Sequence, residues 1–257
     1  MAATDKTPLT KGDIVAGLRR LGVRPGDLLE VHSSLRNLGM VEGGAPTVIT
    51  ALLDTVGPTG VVVTPTYPVS RALELAEAER ARGITWKVRV LSFDDHTTRT
   101  GMGIIADTFR TWPGAIRNMS SFFSYTAWGR DAARFALSLE PLVAQGGKVV
   151  LLGVEMDRCS CLHLAEERIT LPADIQARLA LPDDIARDYP DEQWGIGYDP
   201  EANFLLAQQA AEARGMITQT TIGRGIARSF DAQTLVTLYE DLLRTHPYAV
   251  YGLTHLL

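Results

Sequence analysis

The sequence predicts an α/β protein built on a mixed, mostly parallel sheet flanked by helices. Three observations carry this expectation. Short apolar runs of strand character recur at Asp27–His32, Gly60–Thr64 and Lys148–Gly153. Segments of helical period alternate with them, which is the pattern of βα units. The chain has 257 residues, of which 46% are hydrophobic and 21% charged. That is enough to bury a large core, and it is not the composition of a disordered chain, a coiled coil or a collagen repeat.

The elements follow in order. Ile14, Leu18 and Leu21 fall on one face of a helix over Thr10–Leu21, which Gly22 ends. Asp27–His32 reads as a buried strand. Gly43-Gly44-Ala45-Pro46 opens a helix to about Val56, with Pro46 in its first turn and Gly57-Pro58 at its end. Gly60–Thr64 is the next strand. Arg71–Arg82 reads as a charged, solvated helix, and a loop-rich stretch follows. Ile104–Thr111 is a helix stopped by Trp112-Pro113, Lys148–Gly153 is the strongest strand, and Leu162–Ile169 is the helix after it. Leu171–Tyr198, with Pro172, Pro182, Pro190 and many acids, reads as a long excursion. Glu201–Arg214 is an amphipathic helix ending at Gly215. Met216–Thr221 and Ile226–Phe230 are short strands joined at Gly223-Arg224-Gly225, an antiparallel ribbon added to the sheet. Asp231–Arg244 is a last helix capped by Asp231. There is no internal repeat or low-complexity linker, so the chain is expected to form one unit over residues 1–257.

Composition also excludes partners. A net charge of −5 argues against nucleic acid. Apolar runs such as Val61–Val63 and Val149–Leu152 are too short to cross a bilayer, and the N-terminus has no apolar signal region. Cys159 and Cys161 are read as reduced thiols of a cytoplasmic protein.

Two motifs fail in context. Gly101-Met102-Gly103-Ile104-Ile105-Ala106 matches a dinucleotide-binding pattern, but a polar loop precedes it where a strand is required, and no carboxylate lies between Gly114 and Arg130. Cys159-x-Cys161-x-His163 resembles part of a metal site. His32, His96, His246 and His255 are scattered, however, so no metal is expected and the cysteines read as small apolar residues.

Three segments keep a functional reading. Val31-His32-Ser33-Ser34-Leu35 ends a strand in polar groups, and ligands of open α/β sheets bind beyond the carboxyl ends of strands. Gly43-Gly44 at a helix N-terminus favours an anion. In Asp157–Glu167, His163 and Glu166 lie three residues apart on one helix face, so a carboxylate orients an imidazole and makes it more basic, with Ser160 as a cap. Phe93-Asp94 and Thr97–Gly103 form a hydroxyl-rich loop before a helix.

Taken together these segments resemble the aminoglycoside 3-N-acetyltransferase family over nearly the whole chain. The resemblance rests on Gly22–Asp27, Val31–Leu35, Leu38-Gly39, Glu42–Ala45, Ala51–Leu53, Val56–Gly60, Pro65-Thr66, Thr98–Gly103, Phe109–Gly114, Gly153-Val154, Leu162–Glu166, Phe204, Gly223 and Phe230-Asp231. It implies an α/β core with a smaller mixed region in the C-terminal half, a fold distinct from the GNAT acetyltransferases, whose Arg/Gln-x-x-Gly-x-Gly/Ala loop fails here at Thr98. It implies acetyl transfer from acetyl-coenzyme A to the 3-amine of the 2-deoxystreptamine ring of a cationic aminoglycoside, an antibiotic-resistance activity of a monomer or homodimer. His163 would be the general base and Glu166 its orienting carboxylate. His32, Ser33, Ser34, Leu35, Thr66, Thr98, Gly101 and Met102 would line the coenzyme site, with backbone N–H groups around Ser33–Leu35 facing the pyrophosphate or the thioester. Tyr67, Asp157, Glu167 and Asp199 would meet the acceptor, with the excursion over about 171–200 and its acids Asp183, Asp184, Asp188, Asp191 and Glu192 contributing to that pocket. Several positions depart from the family pattern. Ser120-Ser121 stand for the usual His-Pro, Met156-Asp157 for His-Asp, and Cys159-Ser160-Cys161 for Asn-Thr-Ser. The departures leave two other readings open, an acetyltransferase of another amine metabolite and a ligand-binding relative without turnover.

Overall fold

The computed structural model describes residues 7–91, 98–118 and 123–256. Its main sheet contains β1 (Leu28–Ser33), β2 (Val61–Pro65), β4 (Ile116–Arg117), β5 (Tyr125–Gly129), β6 (Lys148–Leu152), β8 (Thr218–Ile222) and β9 (Gly225–Asp231), in the order β4-β5-β2-β1-β6-β9-β8. A separate antiparallel pair joins β3 (Ile84–Arg89) to β7 (Trp194–Tyr198). Among the described residues, β1 pairs parallel with β2 and β6, and every other pairing is antiparallel. The sheet is mixed and flanked by helices, as expected. Its parallel part is narrower than expected and confined to the centre.

Alternation along the central strands assigns each side chain to a layer. Leu29, Val31, Val62, Val150 and Leu152 face an apolar layer shared with Ile14 and Leu18 of the helix Lys11–Arg20 and with Val48, Ile49 and Leu52 of the helix Ala45–Val56. Leu28, Val61, Val63, Val149 and Leu151 face the other layer, with Phe135, Leu142, Leu164, Ala207, Leu235 and Tyr239. Helices cover both faces, so the strands read as continuous apolar runs. The helix starts follow local chemistry. Thr10 and Asp13 form a reciprocal capping box, and Asp231 accepts the N–H of Thr234 at 2.8 Å to start the helix Ala232–Thr245.

The departures from expectation have physical causes. Only Glu77–Ala81 of the Arg71–Arg82 segment is helical. The stretch has no apolar stripe to pack, and a short helix without one is not stable. Its first part instead runs along β3, with Ser70 donating to Arg89 O and Leu73 to Lys87 O. The 171–198 excursion holds two short helices, Ala173–Leu179 and Asp183–Asp188, each beginning just after a proline and each burying one isoleucine. It then returns as β7, so the smaller sheet combines both halves of the chain rather than belonging to the second.

A carboxylate fastens this excursion to the rest. Glu79 accepts from Lys87 Nζ at 2.6 and 2.8 Å, from the Tyr189 hydroxyl at 2.5 Å and from the Ala76 N–H at 2.6 Å. The Lys87 ammonium first, then Tyr189 and the Ala76 amide, hold the Glu79 carboxyl at about 2, below its ordinary 4.5. A carboxyl depressed on folding stabilises the protein above its unfolded pKa and loses that contribution as pH falls through the folded one. Glu79→Gln is expected to cost about 1–3 kcal/mol at neutral pH. The gap to wild type should close as pH falls from 4.5 towards about 2. Urea denaturation across that range checks it, and a gap independent of pH would assign the loss to packing alone.

Candidate active site

The parallel register brings three strand ends to one level, with Ser33 of β1 opposite Leu152 of β6 and Glu30 opposite Val63 of β2. The chain leaves each strand through a tight, fixed turn. Ser34 N–H donates to Leu152 O at 2.9 Å, and the Ser34 hydroxyl accepts from Asn37 N–H. Asn37 Nδ2 reaches across to Gly153 O at 2.6 Å, and Gly153 has φ +70°, a conformation that suits glycine. Thr100 Oγ1 donates to Tyr67 O at 2.7 Å. Asp107 accepts from Arg99, Arg110 and the Thr100 N–H, which fixes the loop at 98–103. Burial raises the Asp107 carboxyl, but the two guanidinium groups outweigh it and hold the group below its ordinary range. Between these turns lies a cavity of about 520 Å³ lined by His32–Ser34, Gly101–Gly103, Gly153–Glu155, Asp157 and Arg158, among others.

Beyond β6 the chain makes two 3₁₀ turns, Met156–Arg158 and Ser160–Leu162, and then the helix His163–Arg168. One helical turn sets His163 Nδ1 2.7 Å from Glu166 Oε2. The imidazole lies 5.1 Å from the Phe204 ring and 5.5 Å from that of Phe123, centroid to centroid. Its side chain is 40% exposed, so Nε2 remains the ring nitrogen open to a neighbour. Burial and the Glu166 charge push the Tyr239 and Tyr251 hydroxyls up, so both stay neutral behind the pair. His163 and Glu166 line a second cavity of about 640 Å³ with Trp86, Asp157, Arg158, Glu201, Phe204 and Tyr251. Asp157 and Arg158 line both cavities, so the two spaces share a wall at the first of the two 3₁₀ turns that lead to His163.

The structure brings together His32, Ser33, Ser34, Gly101, Met102 and Asp157 around the first cavity, and His163, Glu166 and Asp157 around the second. It sets the other expected residues elsewhere. Leu35 packs into an apolar layer. Thr66 is buried, with its hydroxyl 2.9 Å from that of Thr126. The Thr98 carbonyl is held by Arg117. Tyr67 is buried, and its hydroxyl lies 2.8 Å from Ser160 Oγ rather than in a cavity. Burial pushes that phenol up to about 12. Ser160 therefore does not cap the helix. Glu167 and Asp199 are exposed and line neither cavity. The excursion contributes Leu179, Gly197 and Pro200 to the second cavity but none of its acids, of which Asp184 and Asp188 pair with Arg82. Gly43 and Gly44 line neither cavity, and the Ser34 N–H is already bonded within the sheet. Ser120, Ser121 and the 93–97 part of the loop lie outside the described residues.

Residue-by-residue reading missed Asn37, Trp86, Glu201 and Tyr251. Glu201 was hidden by an expected helix start at its own position. The helix begins at Leu205, and Glu201 sits in the preceding turn, hydrogen-bonded by Thr85.

A family model described as "Aminoglycoside 3-N-acetyltransferase" matches residues 31–244. The chain is 31% identical over 269 aligned residues to aminoglycoside N(3)-acetyltransferase III of Salmonella sp, covering 92% of each chain. Its fold is similar to the crystal structure of aminoglycoside acetyltransferase AAC(3)-IIb, with a TM-score of 0.72, 27% identity and coverage of 93% of this chain and 98% of that one. It is likewise similar to AAC-IIIb in its binary complex with CoASH, with a TM-score of 0.70, 25% identity and coverage of 93% and 97%.

The glycine loop offers a direct check on the first cavity. A Cβ on Gly101 would stand 2.6 Å from Ser70 O and 2.7 Å from Val69 O, both backbone atoms. Gly101→Ala is expected to push the loop off the 69–70 segment and to cost about 1–3 kcal/mol, read as a lower urea midpoint. An unchanged midpoint would show that the backbone yields freely there.

Proposed function

The chain belongs to the aminoglycoside 3-N-acetyltransferase family, and on that premise we propose that it transfers an acetyl group from acetyl-coenzyme A to the 3-amine of the 2-deoxystreptamine ring of an aminoglycoside. The observation that carries this reading is the oriented His163–Glu166 pair at 2.7 Å, in the wall of a cavity that shares Asp157 and Arg158 with a second one.

In the proposed reaction the first cavity receives the donor. Its glycine turns leave backbone exposed to a ligand, and Arg158 on the shared wall, paired with Asp157 at 3.1 Å, supplies a guanidinium beside the carboxylates of Asp157 and Glu155. A relative of this fold is seen with CoASH, which supports this assignment. The second cavity receives the acceptor. Asp157, Glu166 and Glu201 give it three carboxylates against the single guanidinium of Arg158. Trp86, Phe204 and Tyr251 offer flat apolar faces to sugar rings. That combination suits a polycation with carbohydrate faces.

An amine attacks a thioester only through its free lone pair. In this scheme His163 Nε2 takes the amine proton as the N–C bond forms, and the imidazolium then returns a proton to the departing thiolate. Glu166 holds the ring through Nδ1 and stabilises its charged form. Attack is direct, with no acyl-enzyme, and the reaction runs where acetyl-coenzyme A is made, in the cytoplasm.

Thiol release from acetyl-coenzyme A, measured against 4,5- and 4,6-substituted aminoglycosides and apramycin, is expected with at least one member. Release with none of them, by protein that still binds coenzyme A, would reject the acceptor class and favour another amine metabolite. Substitution of the base is the second test. His163→Ala should lower kcat by about 10²–10⁴-fold while the coenzyme dissociation constant stays unchanged, and Glu166→Gln should lower it less. Near-wild-type turnover in His163→Ala would remove the general base from the scheme.

A further inference from the structure

Beneath the turn that leads to His163 lie three buried groups, Glu30, Cys159 and Cys161, that this chemistry does not use. Alternation along β1 sends Glu30 into the same layer as Leu28, where it meets Cys159 and Cys161, and His32, next on that face, touches Glu30 and the Ser160 amide. Glu30 and both cysteines are 0% exposed, and His32 is 5% exposed. A carboxylate oxygen of Glu30 and the two sulfur atoms all lie within 4.8 Å of one another, with the sulfurs 3.5 Å apart. In sequence, Cys159-x-Cys161-x-His163 lacked the further ligands that a metal site needs. The fold supplies one from residue 30 and turns His163 away to Glu166.

The hydrogen bonding leaves the cluster incomplete. Glu30 Oε1 accepts from Cys161 N–H at 3.1 Å and lies 2.7 Å from His32 Nε2. Glu30 Oε2 has no hydrogen-bond partner among the described residues. Ser160 N–H donates to His32 Nε2 at 3.2 Å, so that nitrogen presents a lone pair. A carboxylate oxygen and an imidazole lone pair this close repel unless a proton or a cation lies between them. A buried orphan oxygen is costly as well.

We propose that Cys159, Cys161 and Glu30, with His32 as fourth donor, form a structural zinc site that fastens β1 to the 156–162 turn. The donor set is of zinc type, two thiolates with an imidazole and a carboxylate oxygen. Tetrahedral zinc with bonds of about 2.3 Å to sulfur holds two thiolates about 3.8 Å apart, close to the observed 3.5 Å. Two thiol protons leave as the two Zn–S bonds form. Glu30 Oε2 binds the ion while Oε1 keeps the Cys161 amide, and His32 turns its Nε2 from Oε1 onto the metal. Four protein ligands leave no open position, so the ion is structural and takes no part in acetyl transfer.

The test is elemental analysis of the full chain, purified without a metal-affinity step and, in parallel, refolded with zinc. About one zinc ion per chain is expected, released to a chromogenic chelator when an organomercurial titrates the thiols. Refolding with cobalt should give a thiolate-to-cobalt charge-transfer band that Cys159→Ser removes. Glu30→Gln, which keeps shape and one oxygen, should lower retained zinc about tenfold after dialysis against a chelator. Less than about 0.1 zinc per chain in folded wild type after both preparations would overturn the site, leaving a proton between His32 and Glu30. So would a denatured chain with no free thiol, which would make the cysteines a disulfide.

Discussion

β1 is hydrogen-bonded along both edges, to β2 and to β6, and it is buried on both faces. No other constraint reaches so far through the molecule. A strand held on four sides cannot slip by one residue without moving Leu29 and Val31 out of one apolar layer and Leu28 out of the other. Its carboxyl end is therefore a fixed point, and the first cavity is built outward from it. Ser34 is tied to the end of β6, Asn37 crosses to Gly153, and Gly153 starts the turn that ends at His163. The antiparallel strands at either side extend the sheet, but they do not set the level at which the loops emerge.

The two cavities differ in the groups they present, and the difference comes from the elements that line them. The first is bounded by strand ends and glycine turns, which expose backbone. The second is bounded by helix His163–Arg168, by Glu201 and by Trp86 of β3, which expose carboxylates and aromatic faces. For the proposed reaction this division lets each side be tuned separately, with Asp157 and Arg158 as the shared border. It also gives the small β3–β7 sheet a purpose. The Glu79 network holds that sheet to the excursion, and the sheet carries Trp86 and Gly197 into the wall of the second cavity.

Much of this was legible in the sequence where one physical rule dominated. The central strands are apolar on both faces, and Thr10, Pro46, Gly57 and Asp231 act as local helix boundaries, so those elements were found. His163 and Glu166 were found because helical spacing alone makes them neighbours. The rest depends on tertiary pairing. Arg71–Arg82 has helical propensity but is taken up alongside β3. Tyr67 lies two residues after Pro65 of the first cavity yet turns inward to Ser160, and Pro200 and Glu201 reach the second cavity in place of Asp199. The excursion's acids looked like an acceptor surface because no local rule reveals that Arg82, about a hundred residues earlier, neutralises two of them. Glu30 carried no signal at all, since a lone acid in an apolar run has meaning only once its neighbours across the layer are known.

The surroundings of His163 also bear on the order of events in the proposed transfer. A double-displacement route would need a nucleophile beside the imidazole to hold the acetyl group. The two thiols nearest in sequence are fully buried; burial pushes Cys159 up in pKa, and contact with Cys159 together with burial pushes Cys161 up, the opposite of an activated thiolate. The Ser160 hydroxyl is buried and engaged with Tyr67. The Ser34 hydroxyl is turned to the Asn37 amide. Glu166 already holds the far side of the ring, so the described residues offer His163 Nε2 no hydroxyl or thiol to activate. An imidazole held at one nitrogen and open at the other fits a base that takes its proton from a bound amine. In that case both substrates must be in place together, which the shared wall of the two cavities accommodates.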